Sequence, residues 1–381
     1  MDKISEIVKR MLKLVLVSYL ILCLIIPATA EKYNGVQNFN FPNVSLRSND
    51  IFENSNEPLE IPTYDGSGQL THPSVLYFSD GWNGHKYWAA ATPYPNSDNK
   101  YENPSIYCFD VPYENWSVPQ GLTNPVIPGP SVGFNSDPCL AHNKTSDELY
   151  CIYRDYNSTS QETKYLIVKT YDGVSWSNPV LLYNIPSNKI TFCNRSKLEQ
   201  VCRRMCIKIL NVIHKDLQHG ATNIERSNAI VQLPDGSWMM WAQKWDSECS
   251  IIYRTSTDGF QWSEPEDCVF EDDIYNKDVW HIEVKYIPEY KLFFMIQYSD
   301  VDKSLSWAES NDGIVWKYYP DKILKPDSNT RKFDNSSLYK SSITYDPYTD
   351  TIHMWYVGVN TQNEWKIGYT NASYATLQNV C

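Results

Sequence analysis

The sequence of 381 residues predicts an all-β protein, a five-bladed β-propeller. Three segments share the pattern Ser/Thr-x-Asp-Gly-x-x-Trp, and they begin at Thr170, Ser256 and Ser310. Asp-Gly makes a tight turn, and the Trp that follows starts the next strand with a large buried side chain. Aromatic residues make up 14% of the chain, which favours strands. Successive units that end on the same Asp-Gly-x-x-Trp motif are typical of propeller blades rather than of a β-sandwich.

Five units with the same strand order follow one another along the chain. Each opens with a polar residue and a short apolar strand, continues with an aromatic strand after a turn, and ends with a third strand. The units open at Thr71, Asp137, Ser227, His281 and Ser341. We therefore assign the propeller to residues 66–381. Residues 31–65 contain three prolines and form a lead-in that can add a strand to the ring.

The longest interval between units separates the second unit from the third. Ser196 and Glu199 form a capping box, and apolar residues follow at helical spacing. This predicts a short helical insertion at about residues 190–218, between blades two and three. Four residues in this segment could alternatively bind zinc, but their spacing fits no common zinc finger. These residues are Cys193, Cys202, Cys206 and His214.

Residues 1–30 have the features of a signal peptide. Basic residues precede an apolar run from Leu14 to Ala28, and small residues follow at the cleavage position. The expected location is therefore extracellular, with an uncleaved anchor as the alternative and no membrane contact after cleavage. Seven glycosylation sequons agree with export: Asn43, Asn115, Asn143, Asn157, Asn194, Asn335 and Asn371. The net charge of −12 disfavours nucleic acid as a partner.

The cysteines suggest one disulfide. Nine of the ten cysteines lie outside the signal segment. Cys139 and Cys151 flank the turn Asn143–Asp147 symmetrically, so a hairpin centred on Thr145 would place them opposite each other. Opposed positions of an antiparallel pair have a Cα separation that a disulfide can span. The sequence therefore predicts a bond between Cys139 and Cys151.

Several motifs in residues 70–140 resemble those of uncharacterised exported proteins of the five-bladed propeller glycosidase superfamily, which includes arabinanases, xylosidases and fructosidases. These motifs are His72-Pro73-Ser74-Val75, Trp82-Asn83-Gly84, Tyr87-Trp88, Thr92-Pro93-Tyr94-Pro95 and Tyr101-Glu102-Asn103-Pro104-Ser105-Ile106. The resemblance implies a polysaccharide or glycan partner and hydrolysis of glycosidic bonds by carboxylates at the openings of the innermost strands. It implies no cofactor, and it allows a structural cation such as calcium. The sequence shows no dedicated cluster of metal ligands.

The resemblance also assigns roles to individual residues. Asp137 matches a carboxylate position of the family, and Glu225 is placed like its general acid. His72 stands where the family has its base aspartate, so Glu102 is expected to supply the missing carboxylate. The residues expected to bind the sugar are His72, His281, Glu283, Trp82, Tyr94, Trp280 and Lys340.

Structural roles are the alternative for the same residues. An aspartate before proline, as at Asp137, often caps a turn. Glu225 is adjacent to Arg226, with which it could form a surface ion pair of little energetic weight. His72 and His281 could donate hydrogen bonds to carbonyl groups at the channel rim. The aspartates of the three Asp-Gly motifs are assigned to turns and not to the site: Asp172, Asp258 and Asp312.

The favoured function is a secreted glycoside hydrolase. Because blade one lacks the family's aspartate, a non-catalytic glycan-binding or cell-surface propeller is the alternative. The motif Ser256-x-Asp258-Gly-x-x-Trp262 also resembles the Asp-box of sialidases. Sialidases need six blades and an arginine cluster, and the sequence predicts neither.

Overall fold

Nineteen strands and one short α-helix form the described part of the chain, which comprises residues 51–185, 224–245, 249–271, 278–329 and 331–380 of a computed structural model. The strands make five sheets, which follow one another in chain order as five blades. Within each blade, successive strands pair antiparallel with their sequence neighbours, except for one two-residue strand at the edge of blade four. The prediction of an all-β protein with five blades is confirmed.

The strand bounds of the blades are as follows. Blade one has β1 (Leu70–Trp82), β2 (His85–Pro93) and β3 (Ser105–Phe109); blade two has β4 (Phe134–Asn143), β5 (Glu148–Asn157), β6 (Glu162–Thr170) and β7 (Val180–Ile185). Blade three has β8 (Ile224–Gln232), β9 (Trp238–Trp245), β10 (Cys249–Ser256) and β11 (Glu266–Asp267). Blade four has β12 (Val269–Phe270), β13 (Val279–Ile287), β14 (Leu292–Ser299), β15 (Leu305–Ser310) and β16 (Val315–Leu324), with β12 parallel to β16 at the outer edge. Blade five has β17 (Ser337–Asp346), β18 (Thr351–Val359) and β19 (Trp365–Ser373), and α1 (Tyr374–Val380) follows it.

The innermost strands β1, β4, β8, β13 and β17 line the central channel. β1, β4, β8 and β13 each contact the next innermost strand, and β17 contacts β1, so the ring is closed. Residues 51–69 contain no strand, so this part of the lead-in does not extend a sheet. The signal segment 1–30 and the helical insertion at 190–218 lie outside the described residues, as do its four candidate zinc ligands. No helix among the described residues is both long and apolar enough to span a membrane.

The Asp-Gly motifs form the turns that the sequence predicts. Asp172 Oδ1 accepts the backbone N–H groups of Val174 and Ser175 at 2.8 and 2.7 Å, and Thr170 Oγ1 donates to the same oxygen. Asp258 and Asp312 make the equivalent bonds in the other two motifs. Because these carboxylates accept hydrogen bonds from backbone N–H groups within their own turns, the three aspartates are structural.

Replacing Gly173 by alanine is expected to destabilise the protein by roughly 2–5 kcal/mol. Gly173 has a φ of +74°, and a Cβ there would lie 2.0 Å from the indole of the buried Trp88. Gly66 is a matched control, since its φ is +77° but nothing lies within 4 Å of an added Cβ. Denaturant unfolding of both variants measures the difference, and an equal loss in the two would show that the contact with Trp88 is not the cause.

The predicted disulfide between Cys139 and Cys151 is wrong. The hairpin closes at the pair Asn143 and Glu148, so Cys139 is opposite Ile152 and Cys151 is opposite Leu140. A register error of one residue moves a side chain to the other face of a sheet. The two thiols accordingly lie in different core clusters, and both are free.

Candidate active site

Each innermost strand carries an irregularity of pairing near its start. The shifts lie between Thr71 and Ser74, Ser136 and Cys139, Arg226 and Ala229, Val279 and His281, and Leu338 and Ser341. His72, Asp137 and Ser227 occupy equivalent places in these bulges, and their φ angles are +55°, +53° and +58°. Bulges redirect side chains and are common beside active sites, where backbone strain is tolerated. The five bulges lie at the same end of the channel, which we call the mouth.

Three potential ligand atoms converge at the mouth. His72 Nε2 and His281 Nδ1 each lie 3.5 Å from Asp137 Oδ1, and all three atoms lie within 4.8 Å of one another. The three residues are buried, with at most 5% of each exposed. Asp137 Oδ1 and both ring nitrogens of His281 have no hydrogen-bond partner among the described residues. We call His72, Asp137 and His281 the central triad.

The electrostatics of the central triad suit metal binding. Burial alone would raise the pKa of Asp137, but nearby positive charge, including that of Arg154, outweighs burial and holds that pKa well below its usual range. Burial lowers the pKa of His281 well below its usual value. The cluster therefore offers a carboxylate and a neutral imidazole, which are the protonation states that bind a metal ion.

Neighbouring polar groups orient the triad. His72 Nδ1 lies 3.2 Å from Glu102 Oε2 and 3.2 Å from Thr92 Oγ1, which directs Nε2 toward Asp137. Arg154 Nε lies 3.2 Å from the other oxygen of Asp137. A carboxylate that holds the far nitrogen of a ligating histidine is a recurring feature of protein metal sites, where it fixes the ring and its tautomer.

The donor set fits a divalent transition metal. Zinc binds histidine and carboxylate at about 2.0–2.2 Å, so tetrahedral ligands stand about 3.4 Å apart. The two 3.5 Å separations match that spacing. Two imidazoles and one carboxylate also leave at least one coordination position open, as catalytic sites do. Sequence reasoning placed all three residues at the channel opening but did not group them as ligands.

Aromatic side chains form one wall of the mouth. The Tyr339 ring lies 4.4 Å from that of His281, and Trp280 Nε1 donates to Tyr339 Oη at 3.3 Å. The Arg226 guanidinium lies 3.8 Å from the centre of the Trp280 ring. Tyr94 reaches this wall through Trp365, which packs against both Tyr94 and Tyr339. The structure thus brings Trp280 and Tyr94 to the mouth.

Glu225 has a structural partner. Its two carboxylate oxygens accept hydrogen bonds of 2.9 and 2.8 Å from Arg254, and both residues are buried. A surface ion pair with Arg226 is therefore wrong. A general acid needs a free carboxyl oxygen that can carry a proton to the substrate, and both oxygens of Glu225 are occupied by Arg254.

The other predicted sugar-binding residues divide between three places. Lys340 is 1% exposed beside the triad, and its ammonium group has no partner among the described residues. Glu283 lies within the channel, 2.8 Å from Lys285 Nζ, and accepts a hydrogen bond from Ser342. Trp82 lies at the far end of β1 and donates to Asp147, so the structure does not bring it to the mouth.

Sequence reasoning missed Arg154 and Tyr339, and it considered Arg226 only as a neighbour of Glu225. Arg154 lies on β5, in the second strand of blade two, and no motif connects it with Asp137. Tyr339 precedes Lys340 in the blade-five bulge. An aromatic residue next to a predicted opening is the signal that could have identified it.

The fold is that of five-bladed β-propellers found in carbohydrate-active enzymes. The chain is similar to the crystal structure of an N-acetylgalactosamine deacetylase from F. plautii in complex with blood group B trisaccharide, with a TM-score of 0.67, 23% identity and coverage of 87% of this chain and 97% of that chain. It is also similar to the GH62 α-L-arabinofuranosidase catalytic domain of Coprinopsis cinerea, with a TM-score of 0.53, 12% identity and coverage of 84% and 96%. The GH43_1 enzyme from Xanthomonas citri, complexed with xylotriose, has a TM-score of 0.52, 10% identity and coverage of 80% and 86%.

In sequence, the chain is similar to the "A type blood N-acetyl-alpha-D-galactosamine deacetylase" of Flavonifractor plautii. The two are 24% identical over 360 residues, which cover 82% of this chain and 46% of that protein. The chain thus spans about half the length of this curated relative. No family model matches the chain.

Proposed function

We propose that this protein is a metal-dependent hydrolase that removes the acetyl group from an N-acetylated amino sugar of a glycan. The observation that carries the proposal is the convergence of His72, Asp137 and His281, where Asp137 Oδ1 and both His281 ring nitrogens lack a hydrogen-bond partner among the described residues. The relative in Flavonifractor plautii bears the name of a deacetylase, which supports the same reaction. The signal features of residues 1–30 support action outside the cell.

In this proposal the triad holds a divalent cation. Such a cation supplies a Lewis acid that polarises an amide carbonyl and lowers the pKa of water. Glu102 holds the His72 ring through Nδ1, and Arg154 holds the Asp137 carboxylate as an anion. The buried ammonium of Lys340 is close enough to Asp137 to lower its pKa, so it would add positive charge beside an amide carbonyl bound at the triad. Trp280 and Tyr339 offer apolar surface for the sugar.

A glycoside hydrolase is the second candidate. It is favoured by the two carboxyl groups on either side of the His72 ring, Glu102 at Nδ1 and Asp137 at Nε2, because glycosidases use a pair of carboxyl groups. Asp137 and Glu225 are, however, each engaged by an arginine. The unpartnered ring nitrogens of His281 and the name of the curated relative support the deacetylase, so we favour it.

The two candidates leave different products, so one assay separates them. The full chain is incubated with Zn²⁺ or Mn²⁺ and with oligosaccharides that end in N-acetylgalactosamine or N-acetylglucosamine, and acetate and new reducing ends are measured separately. We expect acetate without new reducing ends. Reducing ends without acetate would contradict the proposal and favour the glycosidase. Binding without either product would favour a non-catalytic glycan receptor.

Replacing Glu102 by alanine is expected to weaken Zn²⁺ binding about 10- to 100-fold, because the His72 ring loses the carboxylate that orients it. Competition with a chromogenic chelator measures the affinity. Glu102→Asp, which keeps a carboxylate, is expected to recover part of the loss. Unchanged affinity in Glu102→Ala, with an unchanged circular dichroism spectrum, would show that Glu102 does not position the ligand.

A further inference from the structure

Two cations at the mouth lack a carboxylate partner. The carboxylates there each have a close basic partner, which is His72 for Glu102, Arg154 for Asp137 and Arg254 for Glu225. Among the described residues, no carboxylate lies within ion-pair distance of Arg226 or Lys340. The mouth therefore carries an excess of positive charge in a chain whose net charge is −12. An excess of this sign raises the local concentration of anions.

Arg226 is the more exposed of these two cations, since Lys340 is fully buried. Its side chain is partly buried, its Nε has no hydrogen-bond partner, and its guanidinium stacks on Trp280 at 3.8 Å. Burial, and then repulsion by Arg154, lower the pKa of Arg226. A desolvated charge without a partner is costly, and an anionic ligand would remove that cost. Glu225 does not pair with Arg226, because consecutive strand residues point to opposite faces and Glu225 faces Arg254.

The position of Arg226 is fixed relative to the triad. Trp280 holds the guanidinium plane, its Nε1 donates to Tyr339, and the Tyr339 ring packs on that of His281. Two side chains, those of Trp280 and Tyr339, therefore link Arg226 to His281 of the triad. A group bound by Arg226 would thus belong to the sugar unit at the triad or to the adjacent unit.

We propose that Arg226 binds the carboxylate of an acidic sugar, so that the substrate is a glycan in which the acetylated amino sugar neighbours a uronic acid. The substrate class rests on the proposed deacetylation. The two terminal nitrogens of the guanidinium present a planar fork of N–H groups, which matches the two oxygens of a carboxylate. Nε is buried, so the exposed part of this partly buried side chain lies beyond it, and stacking on Trp280 covers only a face of the guanidinium.

Calorimetry with three ligands tests this substrate class. The ligands are a disaccharide of N-acetylgalactosamine and glucuronic acid, the same disaccharide with its carboxyl reduced to an alcohol, and a neutral disaccharide that carries a sulfate ester. Binding is measured with EDTA present, so that no turnover occurs. We expect the native protein to bind the uronate at least about tenfold more tightly than the reduced form, as for a charge-assisted fork. Arg226→Gln should remove this preference without weakening the binding of the reduced form.

Arg226→Lys and Arg331→Gln complete the design. The lysine keeps the charge but not the fork, so it should retain only part of the preference. Arg331 is exposed, and its replacement should change nothing. Equal binding of the uronate and its reduced form by the native protein, or a preference that persists in Arg226→Gln, would overturn the proposal. Tighter binding of the sulfate ester than of the uronate would overturn the choice of carboxylate.

Acetate release from the same uronate disaccharide, measured without EDTA, separates this inference from the proposed function. A preference for the uronate without acetate release would leave the role of Arg226 standing and count against deacetylation. Acetate release at equal rates from the uronate and its reduced form would support deacetylation and count against the role of Arg226.

Discussion

Replacing His281 by alanine is expected to abolish acetate release and to weaken Zn²⁺ binding more than about 100-fold. Loss of an outer partner of a metal ligand typically costs 10- to 100-fold, and His281 is itself one of the three ligands. Its two ring nitrogens have no other described partner, so its removal breaks no hydrogen bond. Isothermal titration calorimetry measures the affinity, and an acetate assay with saturating Zn²⁺ measures the rate.

His142→Ala is the matched control for this variant. His142 lies at the opposite end of the channel, where its Nε2 is 2.9 Å from Asp147, and its loss should leave both measurements unchanged. Near-ultraviolet circular dichroism verifies that the His281 variant keeps native packing. Native Zn²⁺ affinity in a folded His281→Ala protein would show that the triad is not the metal site.

Replacing Glu225 by glutamine is expected to destabilise the protein by about 3–5 kcal/mol and to leave the activity per folded molecule nearly unchanged. The substitution leaves Arg254 buried without its carboxylate, since Arg254 is 7% exposed and its other neighbour is the ring of Tyr183. Urea unfolding gives the loss of stability, and acetate release below the unfolding transition gives the activity.

The double variant Glu225→Gln with Arg254→Met separates pairing from chemistry. Removal of the second charge should restore much of the stability, because no uncompensated cation remains. The general-acid role that sequence analysis assigns to Glu225 predicts the reverse, namely a stable variant whose activity is lost. That pattern would contradict the structural role derived from the two hydrogen bonds with Arg254.

The repeat predicted the fold because it reports on local structure. Each Asp-Gly turn and each aromatic strand is encoded within a few neighbouring residues, and five such units leave few architectures other than a propeller. The same repeat located the openings of the innermost strands, and these openings converge by geometry alone. His72, Asp137 and His281 were therefore predicted at the mouth although 65 and 144 residues separate them in sequence.

Partners across strands were not predictable in the same way. The contacts of Arg154 with Asp137 and of Arg254 with Glu225 join different strands, and they depend on register and rotamer rather than on a local pattern. The disulfide failed for a related reason, because an error of one residue in the turn reverses the face of every side chain. Trp82, which was expected to bind the sugar, lies about 30 Å along β1 from His72, at the opposite end of the strand.

The most direct test of the central claim measures acetate release from a glycan that carries N-acetylhexosamine, before chelation of the protein, after chelation, and after Zn²⁺ or Mn²⁺ is added back. We expect chelation to abolish acetate release, one of the added metals to restore it, and no reducing ends to appear at any stage. Undiminished acetate release by the fully chelated protein would contradict the metal-dependent mechanism. Reducing ends in place of acetate would contradict the assignment of the reaction itself.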